Sequence, residues 1–194
     1  MPMTWLVAGL GNPGGEYAAT RHNVGAMVAD ELARRAGAKF RRVRYTPIEA
    51  AEFKEGADRV IVARSTQFMN ESGPGFASVA KRSHLAPHQV IAVHDEIDLP
   101  FGRLQVKRGG STAGHHGLDS LVEGLRSMDF FRIRVGVGRP PGRQDPADYV
   151  LEPFSKKEKA DAEVLVGDAA DAVLALIRDG LNAAQDMFNR GLRR

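Results

Sequence analysis

The sequence predicts one α/β domain built on a twisted, mixed but largely parallel β-sheet that is flanked by helices. Short apolar runs rich in Val and Ile alternate with segments whose apolar residues recur at helical spacing, a pattern typical of βαβ units. The length of 194 residues fits a single domain with a sizeable core. No repeat, low-complexity segment or linker divides the chain, so we treat residues 1–194 as one domain.

The predicted strands are short apolar or β-branched runs bounded by Gly, Pro or polar residues. In chain order we expect strands over residues 4–10, a hairpin of 40–45 with 49–53, then 59–64, 90–93, 103–107 and 131–137. Residues 103–107 alternate polar and apolar side chains, which favours an exposed or edge position.

The predicted helices carry their own start and stop signals. Residues 23–36 end at Gly37, residues 74–83 have Pro in the first turn, and a glycine-rich loop at 109–114 precedes a helix over about 118–125. Ser155 and Glu158 form a capping box for a long helix to about Arg178. After Gly180 a last helix runs to about Arg190, and we count both C-terminal helices, about 155–190, as part of the domain.

Composition excludes several classes of protein. The absence of cysteine excludes a disulfide scaffold, a cysteine nucleophile and a thiolate metal site. No apolar run approaches the roughly 18 residues of a membrane span. The N-terminal residues 1–5 lack the basic region of a signal peptide, so we expect a cytoplasmic protein without membrane contact.

The positive charge is concentrated in parts of the chain. Residues 155–194 hold seven basic and seven acidic side chains, so the net charge of +3 lies in residues 1–154. Residues 34–44 contain six basic side chains and no acid, and residues 99–144 contain eight basic side chains against three acids. Either segment is compatible with ordinary solvated surface or with a groove that follows a phosphate backbone.

The sequence of residues 9–14, GLGNPG, matches the dinucleotide-binding fingerprint and follows a predicted strand. The predicted helix starts only near Asn23, so a pyrophosphate would lack a helix N-terminus. The acidic residue expected roughly 20 positions later is also missing. A nucleotide-dependent oxidoreductase is therefore the weaker alternative, and the glycines more plausibly place Asn12 at the strand end.

Polar side chains follow three predicted strands at their carboxyl ends, where functional loops of such sheets lie. They are Asn12, His22 and Asn23; Gln67 and Asn70; and His94, Asp95, Glu96 and Asp98, with His115 and His116 added by the glycine-rich loop. An aspartate that accepts a hydrogen bond from one imidazole nitrogen leaves the other nitrogen as a base. Amide side chains nearby can hold a peptide-like ligand.

Neither a serine nucleophile nor a metal is favoured. No GxSxG elbow occurs, so a base that activates water directly is the simpler hydrolytic scheme. Residues 94–96 and 115–116 contain potential ligands, but HExxH is absent and adjacent side chains point in different directions. We expect no metal.

Several motifs together resemble one known family, bacterial peptidyl-tRNA hydrolase, in order and spacing from about Leu6 to about Asn189. They are GLGNPG at 9–14, Tyr17, TRHNVG at 20–25, FMNESG at 68–73, HDEIDLP at 94–100 and GGSTAGHHGL at 109–118. The resemblance implies a single α/β domain with a twisted mixed sheet wrapped by helices, and cleavage of the ester between a peptide and the 3′ end of tRNA. It also implies a monomer that needs no metal or cofactor.

The resemblance assigns roles to individual residues. His22 would be the general base that activates water, and Asp95 would orient and polarise it. Asn12 and Asn70 would hold the peptide main chain and the reacting carbonyl, and Tyr17 and Met69 would line the crevice. Lys107 and Arg134 match positions that contact tRNA phosphates.

Two positions depart from the family pattern. His116 stands where the family usually has an asparagine that helps to place substrate or water, and Gln105 stands where a basic residue is common. The first departure keeps open the alternative of an RNA-binding relative that has lost hydrolysis. The presence of His22, Asp95, Asn12 and Asn70 favours the enzyme.

Overall fold

The computed structural model describes residues 1–189, which form a mixed seven-stranded sheet with helices on both faces. The strands are β1 Thr4–Gly9, β2 Arg41–Arg42, β3 Ile48–Glu55, β4 Asp58–Ser65, β5 Val90–Glu96, β6 Leu104–Arg108 and β7 Phe131–Gly136. Their order in the sheet is β2-β3-β4-β1-β5-β7-β6. The α/β prediction is confirmed, and each predicted strand is present.

The sheet is parallel at its centre and antiparallel at its edges. Strands β4, β1, β5 and β7 pair in parallel, whereas the β2–β3–β4 meander and the β6–β7 pair are antiparallel. The expected hairpin and the expected edge position of β6 are both observed. Because four strands run in parallel, their carboxyl ends meet along one edge of the sheet.

The helices are α1 Val24–Ala36, α2 Gly73–Arg82, α3 His116–Leu125, α4 Pro146–Val150, α5 Lys159–Asp179 and α6 Leu181–Phe188. The short α4 was not predicted; Asp145 caps it by accepting a hydrogen bond from the Ala147 amide, with Pro146 in the first turn. The predicted end of the last helix at Arg190 lies outside the described residues. None of the helices within residues 1–189 is long and apolar enough to cross a membrane.

The core has two halves because successive side chains of a strand point to opposite faces of the sheet. On β1, Trp5 and Val7 belong to the half that packs against α1 and α5. Leu6 and Ala8 belong to the half that packs against α2 and α3. Burial on both faces explains why β1 reads as an uninterrupted apolar run.

Strand β5 is longer than predicted. His94, Asp95 and Glu96 were expected in a loop, but they continue the strand and pair with Arg134, Val135 and Gly136 of β7. All three polar side chains are buried. The apolar pattern ended at Val93 because buried polar partners, rather than aliphatic neighbours, surround the last three positions.

A buried arginine ties the start of α1 to the C-terminal half of the chain. Arg21 donates to the backbone oxygen of Tyr149 at 3.2 Å and to Glu158 at 2.8 Å, and its guanidinium lies 3.9 Å from the centroid of the Tyr149 ring. Glu158 also accepts a hydrogen bond from the Ser155 amide, and the Glu158 amide donates to Ser155 Oγ. The two hydrogen bonds of the predicted capping box are thus present, but they close a turn that precedes α5, which begins only at Lys159. These contacts anchor the turn that carries His22.

Gly25 allows the first turn of α1 to approach the backbone of β5 and of the residue that follows β1. A Cβ atom at this position would lie 2.1 Å from the Val93 carbonyl oxygen and 2.8 Å from the Leu10 amide nitrogen. Both obstacles are backbone atoms, one in β5 and one in the residue that follows β1, so neither can move independently. Only glycine fits here.

We expect Gly25→Ala to destabilise the fold by more than about 3 kcal/mol, because backbone overpacking cannot be relieved by a rotamer change. The matched control is Gly167→Ala in α5, where the nearest atom would be a flexible Arg35 nitrogen at 3.5 Å. This control should gain about 0.5–1 kcal/mol from helix propensity. Urea unfolding followed by circular dichroism measures both, and equal stability of the two variants would contradict the expectation.

Candidate active site

A crevice of about 440 Å³ opens at the carboxyl edge of the sheet. Strand β1 leads to Asn12, β5 contributes Asp95, and the segment after β4 contributes Met69 and Asn70. The glycine-rich loop also lines the crevice, and His116 follows it. Six of the predicted site residues line the crevice: Asn12, His22, Met69, Asn70, Asp95 and His116.

Asp95 lies between two imidazoles. Its Oδ2 is 2.8 Å from His22 Nδ1, and its Oδ1 is 2.8 Å from His115 Nε2. The carboxylate is 3% exposed, so these rings replace the water that would otherwise solvate it. The family resemblance paired Asp95 with His22, but it assigned no role to His115, and no local pattern predicts that His115 meets the carboxylate.

The Asp95 carboxylate stays charged inside the protein. Burial alone would raise its pKa, but the attraction and hydrogen bonds of His115 and His22 outweigh burial and hold the pKa well below its usual range. Burial alone would lower the pKa of His22, but Asp95 raises that pKa above the ordinary value of 6.5. A neutral His22 that donates from Nδ1 to Asp95 has Nε2 as its proton acceptor.

His94 is placed differently from its sequence neighbour. Its side chain is fully buried, with Nδ1 2.8 Å from the Asp95 backbone oxygen and Nε2 accepting from Arg132 at 3.2 Å. Burial, His115 and Arg132 together hold the pKa of His94 well below its ordinary value, so the ring is neutral. His94 therefore connects β5 to Arg132 and does not line the crevice. The other predicted polar residues at this strand end, Asp95, Glu96 and Asp98, do line it.

Arg132 links the buried His94 to the glycine-rich loop. Its guanidinium donates to the backbone oxygens of Ser111 at 2.9 Å and Gly109 at 3.4 Å. Burial, together with repulsion by Arg134, lowers the pKa of Arg132 to about 10. Sequence reasoning did not single out Arg132, because its role depends on contacts between β7, β5 and the loop.

Asn12 is held by its backbone and by one end of its amide. The Asn12 amide nitrogen donates to Asn23 Oδ1 at 2.9 Å, and Asn23 Nδ2 donates back to the Asn12 carbonyl at 2.8 Å. The Met69 amide donates to Asn12 Oδ1 at 2.7 Å. The side-chain oxygen is thereby occupied, and the NH₂ group of Asn12 is the end left to donate.

The remaining predicted site residues differ in exposure. Met69 is buried beside Gly117, whereas Asn70 and His116 are exposed along the crevice. The Tyr17 ring packs edge-on against Phe68 at 6.1 Å and does not line this crevice. Tyr17 thus contacts the segment that carries Met69 and Asn70.

The two predicted phosphate-binding residues lie on β6 and β7. Arg134 is 2.8 Å from Glu96 Oε1 and also donates to Gln105, so its charge is partly balanced. Burial, with repulsion by Arg132 and Arg134, lowers the pKa of Lys107. Gln105, which stands where the family pattern commonly has a basic residue, accepts the hydrogen bond from Arg134.

The ligand atoms of His22, Asp95 and His115 lie within 4.8 Å of one another, the one such group found among residues 1–189. Both imidazoles are at hydrogen-bond distance from the carboxylate. An ion bound between them would have to replace both hydrogen bonds. The expectation of a site that works without metal stays a prediction.

We expect Asp95→Asn to lower the pKa of His22 below 6.5, because the substitution removes the attraction and leaves the burial that opposes the charged ring. NMR titration of the His22 ring resonances measures this pKa, and circular dichroism checks that the variant is folded. A His22 pKa that remained raised in Asp95→Asn would show that the carboxylate is not its cause.

Comparisons with known proteins agree on one family. The family model described as peptidyl-tRNA hydrolase matches residues 6–194. A peptidyl-tRNA hydrolase of Kineococcus radiotolerans is 50% identical over 97% of this chain and 98% of its own length. One of an Arthrobacter species is 47% identical over the full length of both chains.

Solved structures agree with the sequence relatives. The crystal structure of peptidyl-tRNA hydrolase from Acinetobacter baumannii superposes with a TM-score of 0.87 at 28% identity, covering 94% of this chain and 93% of that chain. Together with the family model and the relatives, this match shows that this chain belongs to the peptidyl-tRNA hydrolase family.

Proposed function

We propose that His22 activates a water molecule for attack on the ester bond of peptidyl-tRNA, and that Asp95 holds the imidazole for this task. The family and its named relatives supply the reaction, hydrolysis of peptidyl-tRNA. The observation that carries the assignment is the 2.8 Å contact between His22 Nδ1 and a buried Asp95 carboxylate at the crevice. Such hydrolysis recycles tRNA from stalled translation.

The proton follows a closed path. Neutral His22 takes a proton from water at Nε2 while the water oxygen attacks the ester carbonyl carbon. The tetrahedral intermediate then collapses, the bond to the 3′ oxygen of the ribose breaks, and the imidazolium returns its proton to that oxygen. Asp95 stabilises the imidazolium, and a positioned base of this kind contributes about 10²–10⁴-fold to the rate.

The amides complete the site. The free NH₂ of Asn12 donates to the oxygen on which negative charge develops, a contact worth about 10²–10³-fold in comparable sites. Asn70 and His116, both exposed along the crevice, hold the peptide main chain. Met69 provides an apolar wall, and Tyr17 steadies its segment through Phe68. This scheme uses no metal or cofactor.

Lys107 and Arg134 bind phosphates of the tRNA beside the crevice. Both belong to the segment 99–144 with its excess of positive charge, and both lie on the β6 side of the sheet. The proposal places the enzyme in the cytoplasm, where tRNA is found, and treats it as a monomer.

We expect His22→Ala to lower release of peptide from peptidyl-tRNA by about 10²–10⁴-fold, because the variant has no base at the water. His88→Ala, which removes an exposed imidazole from the opposite end of β5, should keep the parent rate. Single-turnover release of labelled peptide is the measurement. A folded His22→Ala protein with near-parent turnover would contradict the mechanism.

We expect Lys107→Gln to reduce the salt dependence of tRNA binding, with a slope smaller by about 0.7–0.9 for one lost phosphate contact. Arg134 is tested in a double variant, Arg134→Gln with Glu96→Gln, because removing the arginine alone would leave the buried Glu96 carboxylate without its ion pair. Fluorescence titration at several salt concentrations gives the slope. Arg59→Gln, at the other end of the sheet, is the control, and a slope equal to the parent's in the Lys107 variant would refute the contact.

A further inference from the structure

Five of the six basic residues in the segment 34–44 fall into two groups in the fold. Arg34 contacts Glu31 at 2.7 Å, and Arg35 contacts Asp171 of α5 at 2.6 Å, so both are neutralised locally. No ion pair is found for Arg41, Arg42 or Arg44 within the described residues. The second group is therefore a source of unbalanced positive charge.

Tertiary structure adds one more arginine to this group. Arg82, at the end of α2, donates to the backbone oxygen of Arg44 and likewise has no ion pair within residues 1–189. We call Arg41, Arg42, Arg44, Tyr45 and Arg82 the hairpin patch; all five are exposed. Glu49, the acid opposite Arg42 in the β2–β3 ladder, is engaged by Arg64.

The hairpin patch presents an aromatic ring to solvent. Tyr45 is 83% exposed and has a φ of 62°, a left-handed conformation that L residues other than Asn and Asp rarely adopt. The guanidinium of Arg44 lies 4.9 Å from the centroid of the Tyr45 ring. The turn is closed by a hydrogen bond from the Thr46 amide to the Val43 oxygen at 3.0 Å.

The patch lies at the same edge of the sheet as the crevice. Strand β3 is antiparallel to β4, so its first residue Ile48 pairs with Ser65, the last residue of β4. The Thr66 amide then donates to the Pro47 oxygen at 2.8 Å, and the chain continues to Met69 in the crevice. Strand β2 is three positions from β1, about 14 Å at ordinary strand spacing.

We propose that the hairpin patch binds the RNA of the substrate, with its arginines on phosphates and the Tyr45 ring stacked on an unpaired base. Guanidinium groups around an exposed aromatic ring are the combination that binds single-stranded nucleic acid. Lys107 and Arg134 lie on the opposite side of β1, so the two basic regions flank the crevice. This inference rests on the proposed function, which makes the substrate a polynucleotide ester.

RNA explains the patch better than an anionic membrane or an acidic protein does. A membrane surface would be expected to receive several apolar anchors, whereas Tyr45 is the one large apolar side chain that the hairpin patch exposes. The ring stands beside a planar guanidinium, and both present flat faces of the kind on which bases stack. In the proposed function, the 3′ end of the tRNA already lies in the adjoining crevice, so the rest of the same molecule is close to the hairpin patch.

Equilibrium binding of uncharged tRNA tests the proposal without depending on catalysis. Arg41→Gln with Arg44→Gln should lower the salt slope by about 1.4, since each lost single-strand phosphate contact removes about 0.7. Tyr45→Asn, which suits the left-handed turn but has no ring, should weaken binding at least about fivefold. Tyr45→Phe, which keeps the ring, should bind as the parent does.

The control removes the same charge elsewhere. Arg59 and Arg178 lie near the amino ends of the parallel strands, away from the crevice. Arg59 contacts Glu52 there, and Arg178 contacts Glu55. Arg59→Gln with Arg178→Gln should therefore leave the slope near the parent value. An unchanged slope in the patch variant, an equal loss in the control, or loss of binding to anionic phospholipid vesicles with normal tRNA binding would overturn the proposal. Failure of the catalytic scheme would instead appear as turnover by His22→Ala.

Discussion

The site depends on one buried carboxylate that two imidazoles share. Asp95 lies at the end of a strand covered on both faces, where an unpaired charge would be costly. His22 and His115 each take one of its oxygens, and their hydrogen bonds keep it ionised. The same interaction raises the pKa of His22 and thereby strengthens the base. The hydrogen bond between His22 and Asp95 thus fixes the position of the imidazole, keeps the carboxylate charged and raises the basicity of His22.

The rest of the fold holds this arrangement in place from several directions. Gly25 lets α1 start against β1 and β5, so the turn that carries His22 lies directly beside Asp95. Neutral His94 and the guanidinium of Arg132 connect β5 to the glycine-rich loop that precedes His115. The carboxylate gains precision from the sheet, because shifting Asp95 would require breaking the register of β5 with β7.

Pairing, rather than the number of arginines, decides where the protein presents positive charge. Arg34 and Arg35 contribute to the basic segment seen in the sequence, yet both are neutralised by carboxylates on helices. The positive charge of Arg134 is partly balanced by the carboxylate of Glu96. Arg41, Arg42 and Arg44 have no such partner in the part of the chain described. Two basic regions on either side of the crevice result, and an extended polyanion can contact both.

The alternation of apolar runs and amphipathic segments was sufficient to predict the α/β class, the strands and the main helices, because secondary structure follows local periodicity. The motifs likewise predicted the family, and they named His22, Asp95, Asn12 and Asn70, which the fold brings to one crevice. The sequence could not reveal that β5 continues to Glu96, that His115 shares Asp95, or that Arg82 joins the hairpin patch. These features depend on which buried polar groups meet across the sheet and which charges find partners, and only the tertiary structure decides those contacts.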